Sequence, residues 1–263
     1  MKHLVVFACF AITIMSAVTI AQADAPLPGV LSGRFMIAPD TPMSDGLAYF
    51  YNLSTGPAPS RDRYWRVPDN VRNLDKEGRF SIQLPAGNYC VGAVKRNGPP
   101  QIGPPREGDI FLLSLDDTGT PRKIAVKGGD KVDMGVVAAP RPTAPSTPPI
   151  GITAIEGIVQ DDAGKPVEGA LVLAFISPTI IGKPLFVSER SGKDGRFLLR
   201  VHEGGTFYLK LRNTYGGGPP RAGAMLDGNK EEPLHPVVVK TGETARNVVL
   251  KGRLFPGRGR NKE

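Results

Sequence analysis

The side chains that most often perform catalysis or bind metals are scarce in this sequence. Its 263 residues include three histidines and two cysteines, and no H-x-H, C-x-x-C or H-E-x-x-H spacing occurs. His202 and His235 stand in VHEG and LHP, which are typical of strand ends and turns. The acidic pairs at 116–117 and 161–162 lack the alternating spacing of a calcium loop and are interpreted as turn formers. The sequence therefore predicts no metal, no cofactor and no catalytic residue.

Ligand binding is a second kind of chemistry, and residues 51–73 carry side chains suited to it. Tyr64, Trp65 and Arg66 combine aromatic faces with a charged group, a combination that suits sugar binding. We therefore take these three residues as candidate ligand or partner contacts. The alternative is that Trp65 packs this segment onto the rest of the protein.

A repeated hexapeptide supplies two further candidates. Residues 103–108 read GPPREG and residues 218–223 read GPPRAG. Two prolines hold such a segment extended, so one interpretation is that the hexapeptide braces a loop. The other is that Arg106 and Arg221, at equivalent places, contact a ligand.

Other motifs recur in the same order, which indicates that the chain is a tandem repeat with residues 51–73 inserted in the first copy. Short strands bounded by Asp-Gly and Gly-rich turns are predicted in both copies, and Phe207, Leu209 and Leu211 alternate with polar residues as in a half-buried strand. We expect an all-β protein of two tandem Greek-key antiparallel β-sandwiches, about seven strands each. The matched segments are 75–82 with 192–199, 86–91 with 204–209, 96–97 with 212–213, and 126–130 with 239–243.

The ends and the middle of the chain suggest its boundaries. An apolar run over residues 4–20 precedes the sequence AQA, which predicts a signal peptide at 1–23 and export; a retained membrane anchor is the alternative. The Pro-rich segment AAPRPTAPSTPPIG indicates an extended linker. We predict one sandwich at 24–139, a linker at 140–151, a second sandwich at 152–251 and a basic tail at 252–263.

Removal of the signal peptide leaves Cys90 as the one cysteine, so no internal disulfide is expected. Tyr89 and Val91 are expected to face the core, which turns Cys90 to the opposite face of its strand. There the thiol is either covered by a loop or free to join two chains.

The order of motifs also carries a family resemblance. G-x-V-x-D-x-x-G-K-P-V-x-G-A over residues 157–170, then D-G-R-F, then G-x-(Y/F) and K-x-G-(D/E), resembles the carboxypeptidase regulatory-like domain. The resemblance implies a transthyretin-like (prealbumin-like) sandwich, a fold often grouped with carbohydrate-binding folds. It also implies that Tyr89 packs at a sandwich corner. The first copy is more divergent, and the family's motifs specify fold rather than activity.

These observations predict an exported, non-catalytic binding or structural protein of the cell envelope. Its location would be periplasmic, at the outer surface or extracellular, with no integral membrane span after signal cleavage. Its partner would be an envelope protein or a polysaccharide, docked through the loops and edges of the sandwiches. The net charge of +8 suits anionic partners, but the basic residues are scattered, so a solvated basic surface is the favoured interpretation of the charge. The alternatives are a carbohydrate-binding module proper and an assembly or adhesion subunit; an enzyme is least favoured. Scattered basic residues without a continuous aromatic-basic stripe predict no nucleic-acid partner.

Overall fold

The structure is a computed structural model, and it describes residues 27–60, 62–98, 103–106, 108–138, 151–179, 182–213, 225–227 and 235–254. The regular secondary structure within these ranges consists of β-strands. None of the described residues forms a helix with the length and hydropathy needed to cross a bilayer. The predicted signal peptide, nearly all of the predicted linker, and Arg221 lie outside the described residues.

The first half of the chain folds as two facing sheets. In one, β1 pairs with β2, β5 and β9; in the other, β3 lies between β4 and β6, and β6 also pairs with β7 and β8. The strands are β1 (Gly29–Ala38), β2 (Thr41–Pro42), β3 (Leu47–Asn52), β4 (Asn70–Asn73), β5 (Arg79–Leu84), β6 (Gly87–Lys95), β7 (Ile110–Leu113), β8 (Ile124–Val126) and β9 (Lys131–Ala138).

The second half repeats this arrangement. One sheet has the order β13-β10-β17-β15 and the other β12-β11-β14-β16. The strands are β10 (Thr153–Gln160), β11 (Leu171–Phe175), β12 (Phe186–Val187), β13 (Arg196–Val201), β14 (Gly205–Arg212), β15 (Met225–Asp227), β16 (His235–Val239) and β17 (Thr244–Leu254). The prediction of an all-β chain with two sandwiches is therefore confirmed.

The same strand pairings recur in both sandwiches, which is strong physical evidence of duplication. The first strand of each pairs antiparallel with β5 or β13 and parallel with β9 or β17. Each parallel pair carries a bulge near its middle, offset by one residue between the two sandwiches, and Gly135 and Asn247 at these bulges adopt φ of 77° and 61°. The sandwiches are thus antiparallel except for one parallel pair each, because the first and last strands of each repeat lie side by side.

The repeated turn motifs also have equivalent geometry. Gly78 and Gly195 have φ of 75° and 74°, a region that favours glycine. The carbonyl of Gly78 accepts the Phe35 N–H at 2.9 Å, and that of Gly195 accepts the Val159 N–H at 2.8 Å. This turn, which reads E-G-R-F at 77–80 and D-G-R-F at 194–197, therefore ties β1 to β5 and β10 to β13.

Each sandwich has its own core, and Tyr89 lies in that of the first. Its side chain is 1% exposed, and its hydroxyl donates to the carbonyl of Pro85 at 2.9 Å. A tyrosine that hydrogen-bonds the backbone a few residues upstream is the arrangement of a tyrosine corner. The corner role that the family resemblance implies for Tyr89 agrees with this geometry.

Two predicted boundaries need correction. β17 continues to Leu254, so residues 252–254 of the predicted tail belong to the last strand, where β15 pairs with them. The ends of the predicted insertion, 51–52 and 70–73, are parts of β3 and β4. Since β4 has a counterpart in β12, the segment that leaves the first sandwich is residues 53–69, called the strap below.

Candidate binding site at the junction of the two sandwiches

The strap crosses from the first sandwich to the second and pairs with the edge of one of its sheets. Val67 N–H donates to the carbonyl of Leu185 at 2.9 Å, and Val187 N–H donates to the carbonyl of Trp65 at 3.1 Å. Arg66 and Phe186 form an antiparallel bridge between these two bonds. The strap therefore forms an isolated β-bridge beside β12, whose backbone groups would otherwise be unpaired at that edge.

Tyr64 enters the core of the second sandwich. It is 5% exposed and belongs to the same apolar cluster as residues of β10, β13 and β14. Its ring lies 5.4 Å from Phe186 and 5.3 Å from His202, both edge-to-face, and its hydroxyl donates to the carbonyl of Ala58 at 2.6 Å. Burial raises the pKa of the Tyr64 hydroxyl. Tyr64 is thus a core side chain that the first sandwich contributes to the second.

Trp65 and Val67 fill the space on the other side of the strap. Trp65 is half-buried and its ring lies 5.7 Å from that of Phe111, edge-to-face. Val67 packs with Leu171 and Val187 on the outer face of the second sandwich, with Trp65 against the same cluster. The tryptophan therefore contacts both sandwiches, which agrees with the alternative that Trp65 packs this segment onto the rest of the protein.

Arg66 is buried in the strap and closes it into a loop. It is 4% exposed, and its guanidinium lies 5.6 Å from the centre of the Tyr51 ring. Burial lowers the pKa of Arg66, while the carboxylate of Asp69 opposes that shift. Its partners are Asp69 Oδ2 at 2.8 Å, Thr55 Oγ1 at 2.8 Å and the carbonyls of Asn52 at 2.6 Å, Pro57 at 2.5 Å and Gly56 at 3.2 Å. In this placement Arg66 organises the strap, and little of its surface is left for a ligand.

Cys90 lies beneath the strap. Tyr89 and Val91 face the core, and Cys90 faces the opposite way with Tyr49 and Tyr51. Leu53 and Ala58 of the strap pack over this cluster, and Cys90 is fully buried and free. Burial raises the pKa of its thiol to about 11. The loop-covered alternative therefore describes the position of this cysteine.

A cationic cleft of about 240 Å³ opens beside the strap, between the two sandwiches. One wall is the hexapeptide loop with Arg106, together with Arg96; the other wall carries Arg190. The remaining lining residues are Gly103, Pro104, Pro105, Leu171 and Glu189. Of the five residues predicted as ligand contacts, the structure places Arg106 in this cleft and Tyr64, Trp65 and Arg66 in the adjoining junction.

The hexapeptide loop is held by Arg96 and Asp109. Arg96 donates to Asp109 Oδ2 at 2.5 Å and to the carbonyls of Gly103 at 2.5 Å and Pro104 at 2.8 Å. Asp109 also accepts the backbone N–H of Arg106 at 2.7 Å. Burial acts to raise the pKa of Asp109, but these hydrogen bonds outweigh it and keep the pKa below its ordinary value. The loop is braced from inside, while the Arg106 residue is exposed.

Arg190 faces this loop from the second sandwich. Its Nη1 donates to the carbonyls of Gly169 at 2.5 Å and Asn213 at 2.9 Å. Burial lowers the pKa of Arg190, and the charges of Arg106 and Arg96 lower it further. Among the described residues, no carboxylate lies within ion-pair distance of Arg190. Positive charge is therefore concentrated across the junction.

The neighbouring acidic group is already engaged elsewhere. Glu189 Oε1 accepts a bond from Arg200 at 2.9 Å, and Arg200 also donates to the carbonyl of Asp62 in the strap at 2.9 Å. Sequence reasoning missed Arg190, whose local sequence SERS carries no motif. The sequence identified Arg96 only as a residue that recurs in both repeats, with Arg212 as its counterpart.

The other candidate groups are turn residues in the structure. Asp116 Oδ1 accepts the N–H groups of Thr118 and Thr120 at 2.9 and 3.0 Å. Asp161 Oδ1 accepts those of Ala163 and Lys165 at 2.9 and 2.8 Å. Within the described ranges, no group of three or more His, Cys, Asp or Glu side chains is arranged to hold a metal ion.

Comparison with known proteins gives similarity to solved structures only. No family model and no curated protein sequence matches the chain. It is similar to the Bacillus anthracis TIE protein (13% identity, TM-score 0.27, 86% of this chain and 34% of that one). It is also similar to a streptococcal ancillary pilin (15%, 0.24, 86% and 63%) and to the minor pilin of Streptococcus agalactiae (12%, 0.27, 89% and 100%).

The chain spans about a third of the first of these proteins and less than two thirds of the second. Their TM-scores are low, so no role of those proteins transfers to this chain.

Proposed function

We propose that this chain is an exported, non-catalytic binding and structural protein of the cell envelope, in which the two sandwiches act as one body. The observation that carries the proposal is the strap, which gives the second sandwich both a β-bridge at its edge and the core residue Tyr64. Linked domains by default move relative to each other across modest, polar interfaces. A shared core and shared backbone hydrogen bonds make such motion costly, which suits a protein that spaces or anchors other envelope components.

The chemistry of the cleft supports a binding role within this body. Arg106 and Arg190 face one another from separate sandwiches, and a partner held there contacts both halves at once. The net charge of +8 attracts anionic partners over a distance. An acidic polysaccharide or an acidic protein surface is therefore the class of partner that the proposal favours, and a carbohydrate-binding module is the second candidate function.

Cell fractionation tests the proposal. We expect the full chain, expressed with its own residues 1–23, to lose that segment and to appear outside the cytoplasm, associated with envelope material. A chain that begins at residue 24 is the control and should stay in the cytoplasm. If the full chain is also cytoplasmic, or is exported but released as an unaccompanied monomer, the envelope role is contradicted.

A further inference from the structure

We propose that the cleft between the sandwiches binds the carboxylate of an acidic sugar, with Arg106 of the first sandwich and Arg190 of the second as its principal contacts. The inference rests on the proposed binding role and specifies the chemical class of the ligand. It assigns one site rather than a general basic surface.

The size of the cleft suits a single sugar unit. Pockets that enclose whole drug-sized ligands have volumes of roughly 300–1,000 Å³, whereas this cleft measures about 240 Å³. It therefore accommodates one sugar unit of a chain rather than a larger molecule. Its opening between two sandwiches leaves the neighbouring units of that chain outside.

The charges around the cleft favour an anionic ligand. Asp109 offsets the charge of Arg96, and Glu189 is paired with Arg200. The Arg190 guanidinium donates to neutral carbonyl oxygens. An anion in the cleft would offset the repulsion between Arg190 and the arginines opposite it, so the binding of an anion stabilises the arrangement as it stands.

The backbone at the cleft favours a carboxylate over a phosphate. Phosphate sites commonly use several backbone N–H groups that converge on the ligand. Pro104 and Pro105 have no N–H group, and that of Arg106 is donated to Asp109. Residues 104–106 therefore offer a guanidinium group rather than a backbone nest, and the planar guanidinium fork matches a carboxylate through two parallel bonds.

The apolar walls favour a sugar as the carrier of that carboxylate. Pro104, Pro105 and Leu171 line the cleft beside the arginines. Their aliphatic surfaces can cover the C–H face of a sugar ring while the charged groups hold its carboxylate. A bare inorganic anion would leave these surfaces exposed to water.

The test is calorimetric titration of the purified full chain with an oligogalacturonate. A neutral galactose oligomer of equal length, oligoglutamate and inorganic phosphate are run in parallel, and free galacturonate separates a single unit from a chain. We expect the oligogalacturonate to bind, free galacturonate to bind more weakly at the same site, and the other three probes to bind at least ~10-fold more weakly.

Three variants locate the binding. Arg106→Gln and Arg190→Gln should each weaken oligogalacturonate binding by ~10-fold or more. Arg196→Gln is the matched control, because it removes the same charge from a side chain that is 78% exposed, and it should bind like the unmodified protein. Arg106 is an exposed loop residue, so Arg106→Gln decides the outcome if Arg190→Gln fails to fold.

Equal losses in all three variants would attribute binding to net charge and overturn the proposal. It is overturned equally if oligoglutamate or phosphate binds as tightly as the uronate, or if nothing binds. Because the titration uses purified protein, its failure leaves the envelope fractionation result intact. A cytoplasmic location would contradict the envelope role without altering the titration.

Discussion

The ring of Tyr64, carried by the strap of the first sandwich, lies 5.4 Å from the ring of Phe186 in the second, edge-to-face. Phe186 in turn lies 6.0 Å from Phe207 in the strand β14. These ring contacts extend from the strap to the centre of the second core. A side chain from outside the second sandwich therefore completes its core. The two halves should therefore unfold as one unit.

Tyr64→Ala should uncouple them. Loss of a buried large aromatic side chain costs about 3–5 kcal/mol, and here the cavity forms in the second core. We expect the single unfolding transition of the unmodified protein in urea to separate into two, with the second sandwich unfolding first. Tryptophan fluorescence reports the junction through Trp65, and far-UV circular dichroism reports the whole chain.

Tyr64→Phe is the matched control. It removes only the hydroxyl that bonds the carbonyl of Ala58, a loss of about 0.5–1.5 kcal/mol, and the ring contacts remain. One transition should persist in this variant. Two transitions in the unmodified protein, or one unshifted transition in Tyr64→Ala, would contradict the shared core.

Arg66→Ala should loosen the strap itself. Removing one partner of a buried ion pair is worth about 3–5 kcal/mol, because Asp69 loses its cationic partner and three carbonyl oxygens lose the bonds from Arg66. Limited proteolysis should then cleave within residues 53–69 far faster than in the unmodified protein. Arg79→Ala serves as the control, since its ion pairs are exposed, and its digestion pattern should be unchanged. A strap that stays protected in Arg66→Ala would refute the bracing role.

The sequence was informative where a structure is specified locally. Turns that need positive φ select glycine, so Gly78 and Gly195 mark equivalent positions of the two repeats in the sequence alone. The alternation around Tyr89 likewise predicted the orientation of Cys90. Such features depend on a few adjacent residues, and a repeat makes them visible twice.

The junction could not be predicted in the same way. Tyr64 is buried by residues of the second repeat, such as Phe186 and His202, and no periodicity in the strap identifies partners so distant in sequence. Aromatic and basic residues are typical of a binding surface and also of a strap packed between two sandwiches, so the composition of the strap does not distinguish the two. Arg190 was missed for a related reason, since its significance comes from Arg106 across the cleft rather than from its own neighbours.

Two equivalent glycines should respond differently to alanine. Gly33 and Gly157 occupy the same place opposite Phe80 and Phe197 in their sheets. A Cβ at Gly157 would lie 1.8 Å from the carbonyl oxygen of Val248, whereas one at Gly33 meets the Met134 side chain at 2.4 Å. Because a flexible side chain can move and a backbone carbonyl in a bulge cannot, Gly157→Ala should be the more destabilising.

Urea unfolding of the two variants measures this difference. We expect Gly33→Ala to cost about 1–3 kcal/mol, as for overpacked cores, and Gly157→Ala to cost more or to prevent folding. Asn247→Gly is a useful companion, since it keeps the positive φ of the second bulge and should be tolerated. The reverse order of the two alanine variants would contradict this difference in packing around the two glycines.

The Cys90 thiol should make stability fall at alkaline pH. Its pKa is raised by burial to about 11, against an ordinary value of 9.0, so the folded state retains the proton that the unfolded state has lost. The contribution is therefore fully present below about pH 9 and is lost as pH rises toward 11. Two pKa units correspond to about 2–3 kcal/mol. The free energy of unfolding, measured from pH 8 to 11, should fall by about that much more than in Cys90→Ala, in which the tyrosines and lysines still titrate.

At pH 8 a thiol reagent should label Cys90 only after denaturation, because the strap covers it. Rapid labelling of the folded protein, or parallel pH profiles for the two proteins, would show that the thiol is accessible and that the strap does not seal this face.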